Sequence, residues 1–511
     1  MSISSIIGIL FYLVIGIILW LIFFKFKKLF HTESVNLDSR AKKVVLIISI
    51  IITSLVCIIP MGLNSHWNED APDCLKQYEV MADSILNGRI DLDIPVNPDL
   101  SAMDNPYDTQ AREDNNIEYM WDHAFYNGHY FMYFGVVPTF LAFIPYKIIT
   151  GQTLSTYHAT QFFVVIFIIG IFALFYLLAR LFFKKMTFGI YILLSSAFAF
   201  MSVWISVGTP ALYCTAITAA LALSVWSILC FMWAAYNKHT KHPIRWLALG
   251  SLLGALTFGC RPTIALFNII LIPVLIYLFK KQYNTSKLNF RFILKVAIAL
   301  LPYIIVGVSL MLYNYARFDS LLEFGQKYQL TVTDQSNYSG LSGISIISVL
   351  NGILNSFIDF NGFSNSFPFI SFGGILIEFP ILLTVFIGLS HRDIRNNIRR
   401  HNLTPFIATL LLIPIFIITI SVAWSPFLIE RYHMDIYFIV AIVCFIIIGC
   451  WCNTLNSNRI KNFSYLICVL ACITIFTCTL LYFVPYDFNL VKTHPELLQK
   501  VTKVLTIGLS P

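Results

Sequence analysis

The chain has 511 residues, of which 58% are hydrophobic and only 12% are charged, and its mean hydropathy is +0.76. About a quarter of the residues in a soluble globular protein are charged, so this composition excludes that class, and it also excludes a disordered or collagen-like chain. Several segments exceed the roughly 20 apolar residues that a helix needs to cross a bilayer. No segment alternates in polarity over about ten residues, as the strands of a membrane barrel do. The sequence therefore predicts an all-α polytopic membrane protein.

The formal net charge of +8 reflects how the chain is threaded through the membrane. Of the 34 Lys and Arg residues, 23 lie in six short segments between apolar stretches, at 25–43, 180–185, 238–245, 280–295, 392–400 and 459–461. Fourteen of the 26 Asp and Glu residues lie between residues 63 and 131, beside three basic residues. Because Lys and Arg are enriched in cytoplasmic loops, the basic segments are predicted to be cytoplasmic and the acidic one extracytoplasmic. This distribution accounts for the basic charge without a nucleic-acid partner.

Hydropathy and charge together predict twelve membrane crossings with both termini outside. They are placed at 4–24, 44–62, 158–182, 187–206, 210–235, 246–260, 263–279, 293–314, 374–390, 404–423, 434–452 and 463–483. The first crossing has its basic residues after it, so we expect a retained helix rather than a cleaved signal peptide. Residues 132–149 are apolar but are interrupted by Gly135, Pro138 and Pro145, which favours a re-entrant or membrane-surface helix.

These predictions divide the chain into six parts, with large extracytoplasmic loops after the second and eighth crossings. The parts are two N-terminal transmembrane helices (1–62), the acidic loop with its re-entrant or surface helix (63–157), a transmembrane helix bundle (158–315), a second extracytoplasmic loop (316–373), C-terminal transmembrane helices (374–483) and an extracytoplasmic tail (484–511). Loops this long are usually functional or disordered. We therefore expect any chemistry at the outer face.

Three carboxylates open the acidic loop: Glu69, Asp70 and Asp73. A carboxylate at the membrane surface can act as a general base toward a hydroxyl group. It can also bind a divalent cation such as Mg²⁺ or Mn²⁺, and the third interpretation is a solvated acidic segment without chemistry. Asp70 is the first choice for a base, because it adjoins Glu69 and follows the end of the second crossing by about eight residues.

Further along the same loop, residues 121–138 combine aromatic side chains with a carboxylate and histidines. Asp122, Tyr126, His129 and Tyr133 are candidates for binding a sugar or an acceptor, since flat apolar faces suit sugar rings and polar groups suit hydroxyls. The Tyr126-Asn-Gly-His129 run predicts a turn. An interfacial aromatic belt is the alternative for the aromatic residues, but such a belt has no need of the Asp122 carboxylate.

Four basic residues are predicted on the outer face, against the topological bias: Arg261, Arg317, Lys327 and Arg431. Basic groups in that position suit the binding of an anion such as a phosphate. Arg261 belongs to the run Gly259-Cys-Arg-Pro-Thr263, which follows a Gly-rich helix, and its charge is expected to be unpaired. For Arg431 the alternative is an intramolecular pair with Glu430 or Asp435.

The order of these features resembles the GT-C superfamily of polytopic glycosyltransferases, and more specifically bacterial relatives of the dolichyl-phosphate-mannose-protein mannosyltransferase group. The shared order is a large acidic loop after an early helix, an aromatic Tyr-Phe-Gly-x-x-Pro segment, a Gly-rich helix ending in Arg-Pro-Thr, and a late Arg-Tyr-x-x-Asp. The resembling stretches are 77–89, 121–138, 249–273, 313–330 and 430–437.

The resemblance implies an inverting transferase in the plasma membrane that uses a polyprenyl-phosphate-linked sugar as donor. The acceptor would be an extracytoplasmic cell-wall polymer, glycolipid or protein, and the base would fall on Glu69, Asp70 or Asp73. A transporter or flippase for a lipid-linked saccharide is the alternative function. Transporters carry broken helices and ionisable groups near the bilayer midplane, whereas nearly all charges here fall at the predicted helix ends.

Overall fold

The computed structural model describes residues 3–62, 64, 73–208, 212–237, 241–285, 290–336, 345–360, 362–364, 367–424, 430–484 and 495–505. This part of the chain is predominantly helical. Its α-helices, in chain order, are α1 (Ile3–Trp20), α2 (Lys27–His31), α3 (Arg40–Gly62), α4 (Gln77–Leu86), α5 (Pro98–Ala102), α6 (Thr109–Asp114), α7 (Ile144–Thr150), α8 (Thr156–Phe182), α9 (Phe188–Gly208), α10 (Leu212–Tyr236), α11 (Pro243–Phe258), α12 (Pro262–Ala265), α13 (Leu271–Thr285), α14 (Phe290–Phe318), α15 (Ile346–Phe357), α16 (Ile375–Glu378), α17 (Leu383–Ser390), α18 (Arg392–Arg400), α19 (Thr404–Trp424), α20 (Met434–Thr454), α21 (Ser457–Leu481) and α22 (Pro495–Leu505).

Shorter segments complete the secondary structure. Two are π-helical (Leu21–Lys25 and Thr139–Phe143), and five are 3₁₀-helical (Asp73–Lys76, Leu266–Ile270, Gln326–Tyr328, Pro380–Leu382 and Glu430–His433). Two short strands, β1 (Ala124–Tyr126) and β2 (His129–Phe131), form an antiparallel hairpin. Apart from this hairpin, the regular secondary structure of the described residues is helical, as the sequence analysis predicts.

Among the described residues, nine helices are long and apolar enough to cross a membrane. They are Arg40–Gly62, Thr156–Phe182, Phe188–Gly208, Leu212–Tyr236, Pro262–Lys281, Phe290–Phe318, Thr404–Val422, Arg431–Thr454 and Ser457–Leu481. The other three predicted crossings, 4–24, 246–260 and 374–390, fall on shorter apolar helices. The segment at 374–390 is divided at Pro380, which has no backbone N–H to continue a helix. The polytopic architecture follows from these helices, and the total of twelve crossings stays a prediction.

The helices differ in how deeply they are buried, and this difference defines the centre of the bundle. In the most apolar 18-residue stretch of each helix, 94% of α9 is buried inside the protein, against 11% of α14. Helices that are apolar all round are either central or exposed to lipid, so α9 is a core helix and α14 a peripheral one. Close packing depends on small residues in places: a Cβ added to Gly170 of α8 would lie 2.4 Å from Val225 Cγ1 on α10.

The hairpin pairs with residues of both loops that are predicted to be extracytoplasmic. Its turn is Asn127-Gly128, with φ of +48° and +75°, and Asn-Gly is the preferred pair for such two-residue hairpin turns. The predicted turn is thus confirmed. Ala124 of β1 also pairs with Gln329 of the second loop, and Leu92 pairs with Tyr130 of β2. Single β-bridges therefore join the hairpin to an earlier part of the acidic loop and to the second loop.

The segment after the hairpin packs directly on the turn between α11 and α12. Val137 N donates to Gly259 O at 2.8 Å, and a Cβ on Gly135 would lie 2.3 Å from that same oxygen. Tyr78 of α4 is fully buried and donates from its hydroxyl to Gly135 O at 3.1 Å. Only a glycine fits this approach, so the aromatic segment and the Arg-Pro-Thr motif are held against each other.

Candidate functional site

Seven side chains from four segments of the chain lie together in what we call the outer polar cluster, after the predicted topology of its loops. Its members are Asp122 and Tyr133 of the acidic loop, Tyr213 of α10, Arg261 at the start of α12, and Arg431, Tyr432 and Asp435 around the start of α20. Charges on Asp122, Arg261 and Arg431 all act on the Tyr133 hydroxyl. Six of the seven, all except Tyr213, belong to motifs that the sequence analysis selected.

A buried ion pair lies at the base of the cluster. Arg261 Nε donates to Asp435 Oδ1 at 2.7 Å, and the Thr263 hydroxyl donates to Asp435 Oδ2 at 2.6 Å. Asp435 is fully buried and the Arg261 side chain is 14% exposed. The expectation that Arg261 is unpaired is therefore wrong, because the positive charge inside the fold is balanced by a carboxylate. Arg261 Nη2 is buried and has no hydrogen-bond partner in the described part of the chain.

Arg431 lies among aromatic rings. Its guanidinium carbon is 4.3 Å from the centre of the Tyr213 ring and 5.6 Å from that of Tyr432, within the range of cation–π attraction. Asp435, which the sequence analysis weighed as a partner for Arg431, pairs with Arg261. The side chain of Glu430, the other partner that was weighed, lies outside the described residues.

Asp122 is held in place from several sides. Its backbone has a φ of +57°, a left-handed conformation that is uncommon outside Gly, Asn and Asp. Its backbone N–H donates to Leu330 O at 3.0 Å, and its Oδ1 accepts from Gln329 Nε2 at 2.8 Å. Its carbonyl oxygen accepts from Gln77 Nε2 at 2.9 Å. The second loop therefore holds the carboxylate of Asp122 through Gln329, and the second loop and α4 hold its backbone through Leu330 and Gln77.

The electrostatic setting of Asp122 suits proton transfer. Burial raises the pKa of this half-buried carboxyl, while the Arg431 charge and the Gln329 hydrogen bond lower it in part. Burial also raises the pKa of the nearby Tyr133 hydroxyl to about 12, so the phenol is protonated and can donate. A carboxylate with a raised pKa binds a proton more readily than an exposed one.

His123 supports Asp122 from the interior. It is fully buried, and its Nδ1 donates to Trp121 O at 2.8 Å. Burial lowers the pKa of His123 to about 4, so the imidazole is neutral at pH 7. The packing of His123 fixes the backbone on both sides of Asp122.

Of the three predicted bases, the structure describes only Asp73. Glu69 and Asp70 belong to the undescribed part of the chain, so their role stays a prediction. Asp73 is 80% exposed and pairs with Lys76 at 2.7 Å, one turn along its 3₁₀ helix. An exposed carboxylate paired with a neighbouring lysine fits the interpretation as a solvated acidic segment.

The other predicted anion-binding residues have structural partners. Arg317 is 5% exposed and donates to Met132 O at 2.7 Å and to Asn314 Oδ1 at 2.8 Å. It thereby joins the end of α14 to the acidic loop. Lys327 is half exposed and lies 3.7 Å from Glu323. Arg317 Nε is buried without a hydrogen-bond partner among the described residues, and the roles of both residues as anion ligands stay predictions.

Tyr126 and His129 flank the hairpin turn and face other partners. The Tyr126 hydroxyl donates to Asp319 Oδ2 at 3.2 Å, and its ring centre lies 4.6 Å from that of Tyr328. His129 Nδ1 lies 3.1 Å from Asp91 Oδ2. Of the four predicted sugar-binding residues, the structure places Asp122 and Tyr133 in the outer polar cluster. The roles of all four as sugar ligands stay predictions.

The sequence analysis did not single out Tyr213, Tyr432 or Gln329 as site residues, although Tyr432 and Gln329 belong to stretches that it quoted. Tyr213 could have been noticed as a polar aromatic residue near the start of an otherwise apolar helix, and Tyr432 as the neighbour of Arg431. Gln329 carried no local signal, because its role depends on pairing between two loops about 200 residues apart in sequence. Within the described residues, no group of three or more His, Cys, Asp and Glu side chains is placed to bind a metal ion.

The described residues form a polytopic α-helical membrane protein in which a cluster of polar side chains lies between two long loops and several helix ends. No protein-family model matches the chain, and no curated protein matches it. The solved structures that it resembles include the archaeal oligosaccharyltransferase AglB from Archaeoglobus fulgidus in complex with an inhibitory peptide and a dolichol-phosphate, at 13% identity and a TM-score of 0.42. That match covers 88% of this chain and 57% of the other.

A second structure of the Archaeoglobus fulgidus oligosaccharyltransferase, in complex with Zn and sulfate, is 13% identical with a TM-score of 0.41. The match covers 87% of this chain and 54% of that one. The chain thus spans little more than half the length of these structures. At such TM-scores the likeness carries no function over to this protein.

Proposed function

We propose that the protein is a membrane glycosyltransferase that moves a sugar from a polyprenyl-phosphate-linked donor to an extracytoplasmic acceptor. The observation that carries the proposal is the position of Asp122. Its backbone is left-handed, its carboxylate accepts a hydrogen bond from Gln329, and the Arg431 charge acts on it. Residues held in sparsely populated conformations tend to cluster at functional sites.

In this proposal Asp122 is the general base, which reassigns the role from Asp70. The Asp122 carboxylate takes the proton of an acceptor hydroxyl, and the hydroxyl oxygen attacks the sugar C1. The bond between C1 and the phosphate oxygen breaks, and its electron pair leaves with the phosphate. Attack from the side opposite the phosphate inverts the configuration at C1. A positioned base typically contributes 10²–10⁴-fold in rate.

The arginines of the cluster would stabilise the departing phosphate. Arg431 lies among aromatic rings near Asp122, and Arg261 keeps a buried Nη2 group without a partner in the described part of the chain. A buried unpaired donor is rare and calls for a specific explanation. A phosphate oxygen at this position would provide the missing acceptor. Guanidinium groups suit this role because they bind phosphates with well-defined geometry.

The proposal is tested by comparing envelope glycans and lipid-linked donors in cells with and without the gene. Loss of one sugar substituent, with the donor accumulating on the outer leaflet, supports transfer at the outer face. Accumulation on the cytoplasmic side supports the alternative of a transporter or flippase. Rescue by the wild-type gene and failure of rescue by Asp122→Asn, at equal protein levels in the membrane, would assign the loss to the carboxylate. The substituent that disappears also identifies the sugar and the acceptor.

A further inference from the structure

A groove lies between α1 and α21, and none of the residues that line it belongs to the outer polar cluster. Its volume is about 640 Å³, within the range of small-molecule sites. The end of α1 and the following π-helical turn form one wall, and the start of α21 forms the other. The walls are apolar and aromatic, and include Trp20, Phe23 and Tyr465.

Two lysines lie at one end of this groove: Lys27, which begins α2, and Lys461, in the first turns of α21. Neither forms an ion pair with a described residue, whereas Lys42 nearby pairs with Glu33 and Asp38. Both belong to basic segments that the charge pattern predicts to be cytoplasmic. The groove is thus apolar along its length and positively charged where it meets the predicted cytoplasmic surface.

The shape of the groove is maintained by ring packing behind it. The Tyr465 ring centre lies 4.1 Å from that of His31 and 6.0 Å from that of Phe23. His31 is fully buried, and its Nδ1 lies 2.9 Å from the Ser464 hydroxyl. At Gly16 an added Cβ would meet no atom of the described residues within 4 Å. The groove is therefore preformed at one end and open at the other.

We infer that this groove binds one anionic phospholipid of the cytoplasmic leaflet, with its phosphate between Lys27 and Lys461 and an acyl chain along the apolar wall. The cytoplasmic leaflet is rich in anionic lipids, which basic residues near the membrane surface attract. Aromatic side chains at this level also favour the headgroup region. The site is separate from the proposed transfer reaction and does not depend on it.

The test is native mass spectrometry of the detergent-purified protein, titrated with phosphatidylglycerol or phosphatidylcholine. Wild-type protein should bind one phosphatidylglycerol more tightly than phosphatidylcholine. The double variant Lys27→Gln/Lys461→Gln should lose on the order of tenfold in phosphatidylglycerol affinity. The matched control, Lys43→Gln/Lys295→Gln, removes the same charge from two exposed lysines outside the groove and should bind as wild type does.

A second variant tests the apolar wall. Gly16→Phe adds an aromatic ring at a position where a Cβ meets no described atom within 4 Å, and it should weaken binding of the phospholipid at unchanged charge. Equal affinity of the two double-lysine variants, or unchanged binding by Gly16→Phe, would overturn the assignment. Tighter binding of polyprenyl phosphate than of phosphatidylglycerol would overturn it as well, because the groove would then belong to the donor.

Discussion

The ion pair between Arg261 and Asp435 allows the structural and functional roles of Arg261 to be separated. Asp435 is fully buried, and it accepts hydrogen bonds from Arg261 Nε and the Thr263 hydroxyl at 2.7 and 2.6 Å. Arg261→Met therefore leaves a buried carboxylate without its cation, and Asp435→Asn leaves a largely buried cation without its anion. Either change alone should destabilise the fold, whatever Arg261 does for the donor.

The magnitude follows from the burial of both groups. Removing one partner of a buried pair typically lowers the free energy of unfolding by about 3–5 kcal/mol, whereas replacing both with apolar residues is often neutral. We expect each single variant to lose stability in that range. The double variant Arg261→Met/Asp435→Leu should recover most of the loss. Thr263→Val removes one hydrogen bond to a charged group and should lower the free energy of unfolding by roughly 1.5–3 kcal/mol.

The assay is unfolding in detergent micelles combined with sugar transfer in proteoliposomes. If Arg261 also binds the donor phosphate, the double variant should approach wild-type stability while transfer remains lost. Wild-type transfer by the stable double variant would show that Arg261 serves the fold alone. Additive destabilisation in the double variant would refute the energetic coupling.

Three further outcomes are expected. Gly135→Ala should lower the thermal stability markedly, because its Cβ would lie 2.3 Å from a carbonyl oxygen, whereas Gly307→Ala, which meets nothing within 4 Å, should not lower it. Arg317→Met should destabilise the protein far more than Lys327→Met. The Arg317 side chain is 5% exposed and donates to Met132 O and Asn314 Oδ1, whereas Lys327 is half exposed and its ion pair is worth at most about 1 kcal/mol. Comparable losses on thermal unfolding would refute the distinction. Ser101→Cys, in a background without the native cysteine of that loop, should react with an impermeant thiol reagent in whole cells, and labelling only after lysis would place the acidic loop inside.

Much of the fold could be predicted because its signals are local. Long apolar runs specify the membrane helices through burial of apolar surface, and Asn127-Gly128 specifies the hairpin turn through its left-handed backbone. The hairpin strands were missed because each has three residues. They are stabilised by pairing with the second loop at Gln329, which no local pattern reveals.

The site was predicted in part for the same reason. Asp122, Arg261 and Arg431 stood out as charges in unusual surroundings, and the structure brings them together. Which charges compensate each other could not be read from the sequence, because Arg261 and Asp435 are 174 positions apart. The choice of Asp70 rested on proximity to a predicted helix end, whereas the fixing of Asp122 depends on contacts with Gln77 and Gln329 that only the folded loops create.

The central claim, that Asp122 is the base, can be tested with a variant that keeps its shape. Asn accepts from Gln329 and tolerates the φ of +57°, so Asp122→Asn should fold normally. Burial raises the pKa of Asp122. The ionised carboxylate therefore lowers the stability of the fold as the pH rises from the ordinary to the raised pKa, and this loss is complete above both values. The variant should therefore be at least as stable as wild type at neutral pH. Asp319→Asn, which keeps an acceptor for Tyr126, is the matched control.

The decisive measurement is the pH dependence of sugar transfer by wild type and Asp122→Asn in proteoliposomes. The wild-type rate should fall as the pH drops through the raised pKa of Asp122, because the protonated carboxyl cannot accept a proton. The variant should lose about 10²–10⁴-fold at neutral pH, its residual rate should lack that acidic limb, and Asp319→Asn should behave as wild type. Transfer by Asp122→Asn at the wild-type rate would contradict the assignment of the base.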